Sequence, residues 1–245
     1  MIRRTLMLAA LALAAQGAMA KDWDTIRFAT EGAYPPFNTV DTSGAVAGFD
    51  VDVANALCEE LKAKCVWVKQ EWDGMIPALL SRKFDAISAS MSITEERKKR
   101  VDFTDKYYAT PLALVTKKGS GLLPELNLLK GKRIGVQRGT VADSFATRFW
   151  AEQGVTVVRY ARQEEAYLDL SAGRIDAAWA DALVADGGFL KQPAGAGYEF
   201  AGGLYHGRNA DEKGVIGEGV GIALRKQDTE LKDKLNKALA TIRAN

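Results

Sequence analysis

Two rounds of one rhythm, a short apolar strand followed by an amphipathic helix, run through this chain of 245 residues and leave few folds open. In the first round Thr25-Ile26-Arg27-Phe28-Ala29 reads as a strand, Asp50 to Ala63 as a helix, Cys65 to Lys69 as a strand, Gly74 to Ser81 as a helix and Phe84 to Ser88 as a strand. The second opens on Gly131-Lys132-Arg133-Ile134-Gly135-Val136. A helix from Val141 to Glu152, a strand from Val155 to Tyr160, a helix from Glu164 to Ala172 and a strand from Ile175 to Trp179 follow. Strands that alternate with helices build a mostly parallel sheet flanked by helices, because a parallel crossover needs about the length of a helix. The expectation is an α/β protein of two lobes with a ligand cleft between them. Tyr108 to Val115 leads out of the first lobe, and the glycine-rich stretch from Gly202 to Gly221 leads back toward a final helix from Thr229 to Arg243. Lobe 1 is therefore drawn as 21–109 with 211–245, and lobe 2 as 110–210.

The first 20 residues read as a secretory signal peptide: Arg3 and Arg4, an apolar run from Thr5 to Ala15, and the small-x-small Ala18-Met19-Ala20 before Lys21. That run is shorter than the roughly 20 residues a membrane-spanning helix needs. The mature chain is expected to start at Lys21 and to be soluble. Of 33 Lys and Arg, two fall in the leader, leaving 31 against 31 Asp and Glu. A near-neutral chain without a basic stripe argues against a nucleic-acid partner. The two cysteines, Cys58 and Cys65, fall at a helix end and the start of the next strand, and in an exported protein they are expected to form a disulfide. With His206 as the one histidine there is no metal ligand set, and no cofactor is expected.

Ligands of open α/β sheets sit beyond the carboxyl ends of the strands. Those positions hold Glu31 and Tyr34, then Trp72, then Ser88 to Ser92, and in the second half Gly139-Thr140 and Asp181. Ser92 is expected to cap a helix beginning Ile93-Thr94-Glu95, and Thr140 one beginning Val141-Ala142-Asp143. Two helix N-termini and the planar fork of Arg97 make an anion site the size of one carboxylate. Asp181, from the other lobe, supplies the anion that a ligand's α-ammonium needs. The pattern is a clamp for a free amino acid.

Seven motifs in order carry a resemblance: Ala33-Tyr34-Pro35-Pro36-Phe37, Gly48-Phe49-Asp50-Val51-Asp52, Trp72-Asp73-Gly74-Met75-Ile76-Pro77, Ser90-Met91-Ser92-Ile93-Thr94-Glu95-Glu96-Arg97, Gly135-Val136-Gln137-Arg138-Gly139-Thr140, Gly173-Arg174-Ile175-Asp176-Ala177 and Gly219-Val220-Gly221-Ile222-Ala223. Over nearly all its mature length the chain resembles the periplasmic solute-binding proteins of amino-acid ABC importers (extracellular solute-binding proteins, family 3), above all the lysine/arginine/ornithine and arginine/ornithine binders. The resemblance implies a type II periplasmic-binding-protein-like fold, a monomer in the periplasm, and an inner-membrane ABC permease as partner. It also implies a site. Arg97 with the Ser92 and Thr140–Val141 regions takes the α-carboxylate, and Asp181, Ser90 and Ser92 take the α-ammonium. Glu31 pairs with a cationic side-chain head, while Tyr34 and Trp72 sandwich the aliphatic stem. Aromatic faces suit both methylenes and guanidinium.

The chain departs from those relatives at three site positions. Ala89 and Ala142 stand where they carry hydrogen-bonding side chains, and Gln137 replaces an apolar residue. A roomier far end favours arginine over lysine, or an opine-type arginine derivative. The relatives also usually continue past Ile242-Arg243-Ala244-Asn245 with a glycine, a tyrosine and one more helix; the end is either a real feature, in which case the first lobe is expected to lose some packing, or a truncation. An enzyme on the same scaffold, of the cyclohexadienyl dehydratase kind, is the rival class. It finds no serine–histidine pair here, and the expectation is binding by hinge closure without catalysis.

Overall fold

The computed structural model describes residues 23–244. The leader, its cleavage point after Ala20 and the start of the mature chain lie outside the described residues. Two five-stranded sheets form the frame. The first contains β1 (Thr25–Thr30), β5 (Lys64–Lys69), β6 (Ala86–Ile87), β7 (Asp102–Phe103) and β13 (Ala223–Leu224), in the order β5-β1-β6-β13-β7. The second contains β8 (Leu112–Lys117), β9 (Arg133–Gln137), β10 (Thr156–Tyr160), β11 (Ala177–Asp181) and β12 (Tyr198–Tyr205), in the order β10-β9-β11-β8-β12. A small meander of β2 (Ala33–Tyr34), β3 (Asn38–Val40) and β4 (Val46–Ala47) hangs off the first.

Both sheets follow one plan. In each, the fourth strand across runs antiparallel to both neighbours and the other four share a direction. The reversed strands, β13 and β8, are the ones that enter directly from the other lobe, which is why they run against the βαβ strands.

Helices cover the faces. α1 (Phe49–Glu60) and the C-terminal α9 (Thr229–Ala244) bury Ala54, Leu57, Leu231, Leu235 and Leu239 with Ile26 and Phe28 of β1. α2 (Met75–Leu80) follows a 3-10 turn at Trp72–Gly74, and α3 (Glu95–Lys98) is a single turn. Over the second sheet lie α4 (Leu126–Leu129), α5 (Val141–Phe149), α6 (Gln163–Ser171), α7 (Ala182–Ala185) and α8 (Ala210–Ile216). Phe145, Trp150, Trp179 and Tyr205 meet there with ring centroids about 5 Å apart, so aromatic packing anchors α5 to β11 and β12. Cys58 on α1 and Cys65 on β5 form the expected disulfide, with Cα atoms 5.9 Å apart. Closing so short a loop contributes about 2–3 kcal/mol. Among the described residues no helix is long and apolar enough to cross a membrane, and no cluster of three metal-ligating side chains occurs.

Gly48 shows why the Gly48-Phe49-Asp50 motif needs its glycine. Its φ is 115°, and a Cβ would lie 2.6 Å from the Phe37 carbonyl oxygen, so the start of α1 packs directly on the meander backbone. Asp50 is then fully buried, accepting bonds from Asn38 at 2.9 Å, Ser90 at 2.7 Å and the Tyr107 hydroxyl at 2.5 Å.

Three local expectations change. The strand expected at 84–88 is only Ala86–Ile87. The cap of α3 is Thr94, which accepts from the Arg97 N–H, and not Ser92. The glycine-rich stretch is also not one crossing: Gly202 and Gly203, both at positive φ, form a bulge inside β12. Beyond it, α8 packs into the second lobe through Ile216 and the Arg148–Asp211 pair at 2.5 Å. We therefore place the return crossing after Ile216 rather than at residue 211. There Val220 pairs with both Ser92 and Tyr108, so the two crossing segments lie side by side.

Candidate functional site

The carboxyl ends of β6, β9 and β11 face one another across the gap between the sheets and line one cavity. Its wall includes Tyr34, Trp72, Ala89, Ser90, Ser92 and Arg97 from the first lobe, and Gln137, Thr140, Val141 and Asp181 from the second. Of the residues expected at a ligand site, Glu31 alone is missing from that wall. Its carboxylate accepts from Gln137 Nε2 at 2.7 Å, one residue behind the surface.

Arg97 is held by backbone. Nη1 donates to the Ser92 carbonyl at 2.8 Å, Nη2 donates to the Gly139 carbonyl of the other lobe at 3.1 Å, and the guanidinium lies 5.3 Å from the centre of the Trp72 ring. It forms no ion pair among the described residues. Burial lowers its pKa to about 10, which still leaves it cationic at neutral pH. Ser92 thus serves Arg97 through its carbonyl oxygen.

Across the cavity Asp181 ends β11 and caps α7. Its Oδ1 accepts from the N–H groups of Leu183 at 2.9 Å and Val184 at 3.1 Å and from the Thr110 hydroxyl at 3.0 Å. No cation pairs with it among the described residues. Burial outweighs those three donors and pushes its pKa up to about 7. A fixed cation on one lobe and a carboxylate on the other, neither neutralised, face the same space.

The remaining polar groups set the rest of the surface. Thr140 caps α5, accepting from Asp143 N–H at 3.2 Å and donating to the Gln137 carbonyl at 2.8 Å. Val141 and Ala142, in the first turn, have backbone N–H groups without intrahelical acceptors. Ser90 sits at φ 54°, a strained left-handed conformation for a residue with a side chain, and its hydroxyl donates to buried Asp50. That bond uses the hydroxyl's proton and leaves its oxygen lone pairs free to accept from a donor. Burial also raises the Glu31 carboxyl to about 7, with the Gln137 bond opposing it. The Tyr34 hydroxyl is held well above its ordinary range by burial, and next by the negative field of Asp181.

Three wall residues were not among the positions singled out in the sequence: Leu112, Gln163 and Ala180. Gln163 starts α6 directly after β10, so the strand-end rule that singled out Asp181 and Thr140 extends to it. Leu112 and Ala180 are apolar residues without a chemical signal. The two lobes also touch outside the cavity, where Glu71 pairs with Arg162 at 2.5 Å and Asp73 with Arg138 at 3.0 Å.

Two lobes with crossed strands and a charged cleft between them define a solute-trapping protein, and the comparisons specify it. Residues 26–245 match the bacterial extracellular solute-binding proteins, family 3, and this chain belongs to that family. It is 52% identical over 220 residues to the L-arginine-binding protein of Pseudomonas aeruginosa, covering 90% of this chain and 83% of that protein. The lysine/arginine/ornithine-binding periplasmic protein of Escherichia coli is 43% identical over the same shares of the two chains. A solved ancestral arginine-binding protein bound to arginine superposes with a TM-score of 0.81 at 38% identity, covering 91% of this chain and 93% of that one. The protein is a binder of the transport class and not an enzyme.

Proposed function

We propose that this protein traps a basic L-amino acid between its lobes in the periplasm and delivers it to an inner-membrane ABC permease. The observation that carries this reading is the unneutralised pair, Arg97 on the first lobe and Asp181 on the second, lining one cavity. A zwitterion's carboxylate meets Arg97 and the first-turn N–H groups of α5, and its ammonium meets Asp181, so a single ligand ties the lobes together. Closure then follows from differential affinity, because only the closed form makes both contacts. The stem lies between Tyr34 and Trp72, and the charged tail points toward the Glu31–Gln137 pair. The leader exports the chain, which starts at Lys21 once cleaved and works as a monomer.

The names of the relatives at 52% and 43% identity favour arginine, lysine and ornithine as the substrate class. A thermal-shift panel of L-arginine, L-ornithine, L-lysine, L-histidine, an opine-type arginine derivative, L-glutamine and L-glutamate tests it. Ligand at a thousand times its Kd adds about 4 kcal/mol to native stability. A large shift with cationic members alone supports the reading, whereas the largest shift with L-glutamate refutes it.

A further inference from the structure

The Gln137 amide is oriented by two neighbours, the Ala161 carbonyl, which can only accept, and the Glu31 carboxylate, which can only accept once ionised. Its nitrogen donates to Glu31 Oε1 at 2.7 Å and to the Ala161 carbonyl at 3.2 Å. Neither neighbour has a proton to give when Glu31 is ionised, so the NH2 group must occupy that side. The carbonyl oxygen is thereby turned the other way. It is buried, has no donor among the described residues, and belongs to a side chain that is 1% exposed and lines the cavity. Buried carbonyls without a donor are rare because they lose water and gain nothing in return. Glu31, by contrast, is not among the residues that line the cavity.

We propose that Gln137 Oε1 is the acceptor that reads the N–H donors of the ligand's tail, and that Glu31 is a positioning residue acting through Gln137. The carboxylate fixes which way the amide points and polarises it, so that the outward carbonyl becomes a stronger acceptor. The class of tail selected is one that donates, a guanidinium or an ammonium. A tail ending in carboxylate would set one acceptor against another. This inference rests on the reading that the cleft takes a basic amino acid.

A double-mutant cycle by titration calorimetry on the full mature chain tests it, with L-arginine as ligand and L-norvaline as the control that lacks a charged head. Gln137→Leu is expected to weaken L-arginine at least about tenfold while leaving L-norvaline unchanged, since a bond to a charged donor is lost. Glu31→Gln, whose amide can donate as well as accept, lets Gln137 turn over and weakens L-arginine in the native background. In the Gln137→Leu background the same change is expected to add less than about twofold. Full additivity of the two losses overturns the proposal, because it makes Glu31 a direct partner of the ligand. A native protein that binds L-norvaline as tightly as L-arginine refutes the basic-ligand reading, and this inference with it. Strong L-arginine preference with additive losses refutes only the relay. Gln137→Met replaces Gln137→Leu in the cycle if the leucine variant does not melt cooperatively.

Discussion

The two ends of the cleft are built from different chemistry. At one end Arg97 is held by two backbone carbonyls and Asp181 by two backbone N–H groups and the Thr110 hydroxyl, neither facing an opposite charge among the described residues. Elsewhere the wall carries the Gln137 and Gln163 amides, with the Glu31 carboxylate bonded to Gln137. The difference separates affinity from selectivity. Under the function we propose, preset charges at the first end fit the part that all amino acids share, and directional neutral acceptors at the second discriminate among tails. Removing a group from the first end should therefore cost every ligand, and removing one from the second should cost some.

Arg97→Ala should break that comparison most. Truncating one partner of a buried charge pair typically costs about 2–5 kcal/mol, so affinity for every amino acid, cationic or neutral, should fall more than about thirtyfold. The fold should persist, since Arg97 bonds only two carbonyls and one ring. Calorimetry alongside a melting curve separates the two effects. A variant that still binds L-arginine while losing L-norvaline would place Arg97 at the tail.

A smaller and reversible test uses pH. Asp181 and Glu31 each sit near 7 because burial favours their protonated forms. An ammonium or guanidinium brought beside either favours ionisation, so binding releases protons and affinity should rise with pH between about 5 and 7, then level off. The slope approaches about tenfold per pH unit for each carboxylate that must ionise. Without ligand the sign reverses. An acid whose folded pKa lies above its unfolded value contributes stability at low pH that is lost as pH climbs through the folded value, so the ligand-free melting temperature should decline between about pH 4 and 7. Titrations in buffers of different ionisation enthalpy count the protons, and Asp181→Asn should flatten the profile for every ligand, whereas a change at Glu31 should flatten it for basic ones alone.

Much of the site was legible because strand ends are legible. Asp181 and Thr140 follow long apolar strands, and Thr140 is three residues before Asp143, so its capping role is local. Where two hydroxyls competed, sequence did not decide: Ser92 and Thr94 both precede the α3 turn, and Thr94 wins because Ser92 is tied to Val220 and lends its carbonyl to Arg97. Gly202 and Gly203 resembled a linker because a bulge and a hinge use glycine for the same positive φ. The position of Glu31 depends on a side chain 106 residues away in the other lobe, and no local pattern encodes that.

The weakest effect concerns how the two ends are brought together. Glu71 and Asp73 flank Trp72 on the first lobe and meet Arg162 and Arg138, which follow β10 and β9 on the second. These pairs exist only while the lobes touch, so they favour the closed form, but all four side chains are about half exposed and solvent screens them. The double variant Arg138→Glu with Arg162→Glu should lower affinity only about two- to fivefold, and equally for L-arginine and L-norvaline, because neither arginine lines the cavity. Raising salt should weaken the native protein in the same sense and leave the variant nearly insensitive. Compensating changes, Glu71→Arg with Asp73→Arg, should restore most of the loss by rebuilding the pairs with opposite polarity. If the double variant instead lost L-arginine selectively, these charges would belong to the tail-reading end, and the division between a shared end and a discriminating end would have to be redrawn around Glu31 and its neighbours.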